Sequence, residues 1–93
     1  MRRLLLRSAA FIRSARRLVK KNPETGPILQ ATLESLAQDA FASSLKTHKL
    51  GGELAGSLAC SAGYDLRIVF EFVHHQGTEA ILLQAVGTHD EIY

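Results

Sequence analysis

A histidine and a tyrosine stand in the short polar tail at the end of the sequence. The apolar segment 80–86 (AILLQAV) predicts a strand, and the tail 87–93 (GTHDEIY) follows it. A histidine transfers protons near neutral pH, and an aromatic ring can stack on a nucleic-acid base. His89 and Tyr93 are therefore candidate site residues. A solvent-exposed tail histidine and an aromatic ring that covers the core are the structural alternatives.

Polar residues also concentrate in a segment with no clear helical or strand pattern, residues 39–54. It contains Lys46, His48 and Lys49 just before a Gly-Gly pair that indicates a turn. Lysines in such a segment suit the phosphates of a nucleic acid, and such backbone contacts give affinity without sequence choice. For His48 the alternative is a loop residue that holds a backbone carbonyl.

A third candidate position lies where a strong strand pattern begins. Apolar residues alternate with other residues through 66–73, so the side chain of Arg67 is expected to face away from the core. A guanidinium matches phosphate geometry with two parallel hydrogen bonds, although an edge-strand charge that favours solubility has the same pattern. Asp65 precedes the strand in a Gly-Tyr-Asp sequence, where an aspartate can simply close a turn.

The charge of the chain is unevenly distributed. Residues 22–93 hold three basic and nine acidic residues, a net charge of −6, whereas residues 1–21 hold eight basic residues and no acid. Such asymmetry suggests a basic face for a polyanion, although a solvated helix face is the alternative. The basic residues expected on the first helix are Arg13, Arg16, Arg17 and Lys20. An Arg-rich start without acids is also the composition of a mitochondrial transit peptide.

Size and composition indicate one domain over residues 1–93. Apolar residues make up 46% of the chain, and no run of about twenty of them indicates a membrane span. The single cysteine, Cys60, excludes an internal disulfide, is expected to be a small buried side chain, and suits a reducing cytoplasm. His74 and His75 are adjacent in a predicted turn and do not converge as metal ligands should. We therefore expect no metal and no cofactor.

The order of elements predicts an α+β fold. A strand at 2–7 is followed by a helix capped by Ser8 and stopped by Asn22-Pro23, and a second helix begins near residue 25. Strands follow at 54–60, 66–73 and 80–86, the last two joined by a four-residue connection at 74–77. The predicted architecture is β-α-α-β-β-β, an N-terminal strand and an antiparallel helix hairpin packed on a mostly antiparallel sheet.

Three segments, in this order, resemble motifs of the RelE/ParE superfamily of bacterial type II toxin–antitoxin toxins. The segment 45–52 (LKTHKLGG) is similar to its "LK-x-H-x-L-x-G" loop. The segment 63–70 (GYDLRIVF) is similar to its "dyRivy" strand, and 87–93 to its "G-x-H-x-E-V-Y/F" ending. The resemblance spans almost the whole chain and implies the same element order.

This resemblance implies a toxin that inhibits translation. RelE-like and YafQ-like members are ribosome-dependent mRNA endonucleases (mRNA interferases) that cut the message in the ribosomal A site. They use no metal, because the 2′-hydroxyl of the RNA is the nucleophile, and an antitoxin from an adjacent gene neutralises them. The ParE branch shares the fold but inhibits DNA gyrase, and it is the alternative function. The implied partners are the antitoxin, mRNA and ribosomal RNA in the cytoplasm.

The resemblance also implies roles for individual residues. It places His89 and His48 in proton transfer, Arg67 on the scissile phosphate, Asp65 as a base or as an orienting carboxylate, and Tyr93 in base stacking. Two departures stand beside these matches. YafQ-like members often have a histidine shortly before the aspartate and a tryptophan after it, where this chain has ACSA at 59–62 and Leu66.

Overall fold

The chain, described by a computed structural model over residues 2–92, folds into a five-stranded sheet with two longer helices packed on one face. The α+β class and the mostly antiparallel sheet predicted from the sequence are confirmed. The elements are β1 Leu5–Arg7, α1 Ala9–Lys21, α2 Thr25–Gln38, β2 His48–Lys49, β3 Leu58–Ala62, β4 Leu66–His75, β5 Thr78–Thr88 and α3 His89–Ile92.

The two helices begin and end where the sequence predicts. The Ser8 hydroxyl accepts a hydrogen bond from the Phe11 backbone N–H at 3.0 Å and caps α1. The residue before Pro23, Asn22, ends α1, and its carbonyl accepts from the Thr25 hydroxyl at 2.7 Å where α2 begins. This short connection makes the helices an antiparallel pair.

The strand order of the sheet is β1-β5-β4-β3-β2. β1 pairs in parallel with β5, and the other three pairings are antiparallel. Segment 5–21, which has the composition of a transit peptide, therefore supplies a strand of the sheet and the helix that buries Phe11. No helix within residues 2–92 has the length and apolar character needed to cross a membrane.

Two strand predictions are wrong. The sheet has five strands rather than four, because the predicted irregular segment 39–54 contains β2, which is only two residues long. The predicted strand at 54–60 actually runs from Leu58 to Ala62. A short 3₁₀ helix at Gly52–Leu54 and the positive φ of 96° at Gly56 keep the preceding residues out of the sheet.

The connection between β4 and β5 is shorter than predicted. The strands extend to His75 and Thr78, so the loop contains two residues rather than four. Gln76 and Gly77 have φ values of 52° and 81°. Positive φ at both central residues is the requirement of a type I′ turn, whose twist matches that of the flanking strands.

The core lies between the helices and one face of the sheet. Phe70 and Ile68 of β4 and Leu83 of β5 are fully buried there, with Leu36 of α2 packed against them. Arg67 alternates with these residues, so its side chain lies on the opposite face, as the sequence predicts.

Candidate active site

Residues from four separate parts of the chain line one small cleft on the molecule. Its volume is about 390 Å³. Two histidines and two cations meet in it, beside one hydroxyl group. The lining residues are Lys46, His48, Ser61, Arg67 and His89. We call this pocket the cleft.

Arg67 is the half-buried cation of the cleft. It stands opposite Ser61 in the β3–β4 register, so both side chains lie on the same face of the sheet. One guanidinium nitrogen, Nη1, donates to the Leu66 carbonyl at 2.9 Å. A guanidinium has five N–H donors, so this bond fixes its position and still leaves donors for an anion.

His48 enters the cleft from β2, at the edge of the sheet. Its Nδ1 lies 3.1 Å from the carbonyl oxygen of Lys46. Because a carbonyl oxygen only accepts hydrogen bonds, this contact selects the tautomer with the proton on Nδ1. The neutral imidazole then has its basic nitrogen at Nε2. Lys46 itself adopts the left-handed conformation, with φ of 52°, at the end of a short 3₁₀ helix, Ser43–Leu45.

His89 is the first residue of α3, directly after β5. Its backbone N–H donates to the Asp65 carbonyl at 2.9 Å, which joins the tail to the turn between β3 and β4. The imidazole Nδ1 lies 3.7 Å from the Asp90 carboxylate. The β4–β5 pairing brings the tail back to Asp65 and Arg67, and this hydrogen bond holds it there.

The two histidines lie on either side of the arginine. Arg67 is on β4, whereas His48 is on β2 and His89 follows β5, so the strand order places β4 between their elements. A phosphoryl transfer needs its attacking and leaving oxygens roughly in line through phosphorus. A cation between two proton-transfer groups suits that requirement, because each group can serve one of the two oxygens.

The other candidate residues lie outside the cleft lining. Asp65 is exposed, and its backbone carbonyl accepts a hydrogen bond from the His89 N–H. Lys49 pairs with Leu58 and so points to the opposite side of β2 from His48. Tyr93 lies outside the described residues.

A larger groove lies between α1, α2 and the same end of the sheet. Its volume is about 840 Å³. Arg17 and Asp65 line it, together with Glu91 of α3. The other basic residues proposed on α1 are exposed on the helix surface: Arg13, Arg16 and Lys20.

Ser61 is the cleft residue that the sequence does not single out. Its position depends on the register of β3 against β4, and the predicted strand ended one residue before it. The neighbouring Cys60 is fully buried, as expected for a small core side chain. Burial raises the pKa of its thiol to about 12, so the reactive thiolate is disfavoured.

Solved structures with this architecture include bacterial toxins. YafQ from E. coli strain BL21(DE3) superimposes with a TM-score of 0.77 at 15% identity, over 98% of each chain. This chain has the RelE-like fold. A YoeB/ParE toxin from Agrobacterium tumefaciens gives a TM-score of 0.74 at 13% identity, over 92% of this chain and 98% of that one.

A structure of the E. coli DinJ–YafQ toxin–antitoxin complex has the same RelE-like fold. It gives a TM-score of 0.75 at 16% identity, over 100% of this chain and 99% of that one. No protein-family model matches the sequence, and no curated protein matches it. The three-dimensional likeness therefore identifies the fold only. Evidence for a function has to come from the residues of the cleft.

Proposed function

We propose that this chain is the toxin of a type II toxin–antitoxin system and an mRNA interferase that cleaves the message in the ribosomal A site. The observation that carries the proposal is the cleft, in which His48 and His89 lie on either side of Arg67. The RelE-like fold shared with YafQ and with the DinJ–YafQ complex supports the same conclusion.

Cleavage by the 2′-hydroxyl of the RNA requires three things of the protein. A base takes the proton of the 2′-hydroxyl, an acid protonates the departing 5′-oxygen, and cations offset the charge that gathers on the phosphate. Positioned acid and base groups typically contribute about 10²–10⁴-fold each. Preorganised cationic donors in a partly dehydrated site contribute comparably.

Arg67 is the proposed phosphate-binding residue. Its guanidinium is half-buried and held by the Leu66 carbonyl, so little conformational entropy remains to be lost when a phosphate binds. Lys46, which lines the same cleft, supplies a second positive charge to the phosphate oxygens. No metal ion enters the proposed reaction.

His48 is assigned as the base and His89 as the acid. The hydrogen bond from His48 Nδ1 to the Lys46 carbonyl leaves Nε2 as the nitrogen that can accept the 2′-hydroxyl proton. His89 lies on the opposite side of Arg67, where an in-line leaving oxygen would depart. Asp65 acts as a positioning residue through its carbonyl. Tyr93 is proposed to stack on a base.

Surface cations extend the proposed RNA contact beyond the cleft. Lys49 is exposed on the opposite side of β2 from His48, and the basic face of α1 carries Arg13, Arg16, Arg17 and Lys20. These groups suit the phosphates of mRNA and ribosomal RNA, giving affinity that falls with salt and does not depend on sequence. The proposed site of action is the cytoplasm, and the proposed inhibitor is an antitoxin from an adjacent gene.

The test is induced expression in bacteria with mapping of RNA ends. The parent chain is expected to arrest growth and to generate mRNA ends within translated codons, and His89→Ala and Arg67→Ala are expected to abolish both effects. His74→Ala removes an exposed histidine outside the cleft and serves as the matched control, which should behave as the parent. Growth rescue and co-purification with the product of the neighbouring small gene would identify the antitoxin.

Gyrase inhibition is the second candidate function, favoured by the similarity to the YoeB/ParE toxin. A binding protein that cuts nothing does not need two histidines beside an arginine. Intact mRNA together with relaxed or broken DNA after induction would support this alternative. Undiminished toxicity of His89→Ala and Arg67→Ala would support it as well.

A further inference from the structure

The helix that carries His89 is too short to be stable by itself. α3 spans four residues, His89–Ile92, whereas isolated helices shorter than about 12–15 residues are marginal in water. Its position therefore depends on specific contacts to the sheet. One is the hydrogen bond from the His89 N–H to the Asp65 carbonyl, and the others come from Thr88 and Glu91.

Thr88 and Glu91 form a reciprocal capping box. The Thr88 backbone N–H donates to Glu91 Oε1 at 2.8 Å, and the Glu91 backbone N–H donates to the Thr88 hydroxyl at 3.3 Å. Two N–H groups at the start of the helix are satisfied in this way. His89 is the residue between the cap and the body of the helix, so the capping box fixes its backbone from both sides.

The Glu91 side chain also packs closely on the end of β5. A Cβ atom added to Gly87 would lie 3.0 Å from Glu91 Oε1 and 3.3 Å from Glu91 Cβ. Gly87 is the residue paired with Arg67 in the β4–β5 register. Glu91 thus contacts the backbone directly opposite the proposed phosphate-binding residue and relates the His89 helix to it.

Electrostatics keeps the Glu91 carboxyl ionised at neutral pH. Hydrogen bonds from Thr88 lower the pKa of the Glu91 carboxyl below its usual value. The backbone N–H has the largest effect and the hydroxyl the next, and the positive charges of Lys21 and Arg17 add to it. Asp90, the other acid of α3, contacts His89 rather than the cap. Glu91 is therefore the acid of α3 that holds the start of the helix, through its hydrogen bonds with Thr88.

We propose that Thr88 and Glu91 are positioning residues that hold the imidazole of His89 in register with Arg67. This inference rests on the proposed RNA cleavage for its functional meaning. Neither side chain lines the cleft, so both act on the reaction through His89 and not by contact with the RNA.

Conservative and truncating variants separate positioning from simple folding. Glu91→Gln and Thr88→Ser keep the acceptors of a capping box, whereas Glu91→Ala and Thr88→Val remove them. Losing a helix cap lowers the equilibrium constant for the docked helix about fivefold, so we expect the truncating variants to lower kcat for cleavage of ribosome-bound mRNA by up to about fivefold, with little change in KM. The conservative variants should retain the parental kcat. Glu53→Ala removes an exposed acid outside the cleft and is the control for charge.

A second readout tests the positioning directly, without any enzymatic assay. Hydrogen exchange of the His89 amide, followed by NMR, should be several-fold faster in Glu91→Ala than in the parent and unchanged in Glu91→Gln, while core amides of β4 stay protected. The inference would be overturned if both truncating variants kept the parental kcat and the parental exchange rate of the His89 amide. If His89→Ala were inactive in that case, the proposed function would still stand. Full activity of His89→Ala would instead refute the proposed function, while the exchange data still decide the role of the capping box.

Discussion

Replacing His48 with asparagine separates proton transfer from the hydrogen bond that His48 makes to its own loop. Nδ1 of His48 lies 3.1 Å from the Lys46 carbonyl oxygen. An asparagine amide nitrogen occupies nearly the position of Nδ1 and keeps a donor for that carbonyl. The amide has no counterpart of Nε2, so it cannot accept a proton at neutral pH. His48→Asn should therefore be folded and inactive.

The two effects differ in size. A hydrogen bond of this kind contributes about 1 kcal/mol to stability, so His48→Ala is expected to lower Tm by at most about 4–8 °C in a domain of this size. His48→Asn should keep most of that stability. Loss of the base should slow cleavage by about 10²–10⁴-fold in both variants, which corresponds to a barrier higher by about 3–5 kcal/mol.

The assay is single-turnover cleavage of mRNA on programmed ribosomes, paired with thermal unfolding of each variant. His74→Asn, at an exposed position outside the cleft, controls for the substitution itself. Parental cleavage by His48→Asn, together with lower stability of His48→Ala, would refute the assignment. His48 would then be a loop residue that holds a backbone carbonyl.

Three further outcomes follow from the same structure. Arg67→Lys keeps the positive charge but loses the planar fork, so cleavage should fall roughly tenfold to hundredfold, less than in Arg67→Ala, when measured in the same assay. Cys60 should resist alkylation by iodoacetamide at pH 8 and react once urea unfolds the chain, because it is buried and burial raises the pKa of its thiol to about 12. The pKa of the Glu91 carboxyl is lowered from its ordinary value of 4.5, so its ionisation should add stability above pH 4.5, and this added stability should be lost as the pH falls through the lower folded-state pKa. NMR shifts of the α3 amides during an acid titration would measure this loss.

The elements that the sequence predicts well are those with local chemical signals. α1 is bounded by a capping serine and by an asparagine before a proline, and β4 has a clear apolar alternation. β2 has two residues, too few for any pattern, and it joins the sheet because β3 offers a free edge. The β4–β5 loop depended on Gln76 adopting a positive φ, which is uncommon for a residue other than glycine.

The cleft was predictable only in part, for a related reason. His48, Arg67 and His89 are recognisable from residue type and from the resemblance to toxin motifs. Ser61 depends on strand register, which is set by pairing between distant segments. The spacing of Thr88 and Glu91 is a readable capping signature, but the contact between Glu91 and Gly87 requires the folded end of β5.

The position of β5 in the sheet has a consequence for biosynthesis. β5 lies between β1 and β4, so the first strand of the chain has no place in the sheet until residues 78–88 have been made. Pairing between segments so far apart in sequence is slow and must await the later segment. His89 comes directly after that strand. A nascent chain that stops before β5 therefore has neither the complete sheet nor the cleft. Under the proposed function, incomplete translation products should not cleave RNA.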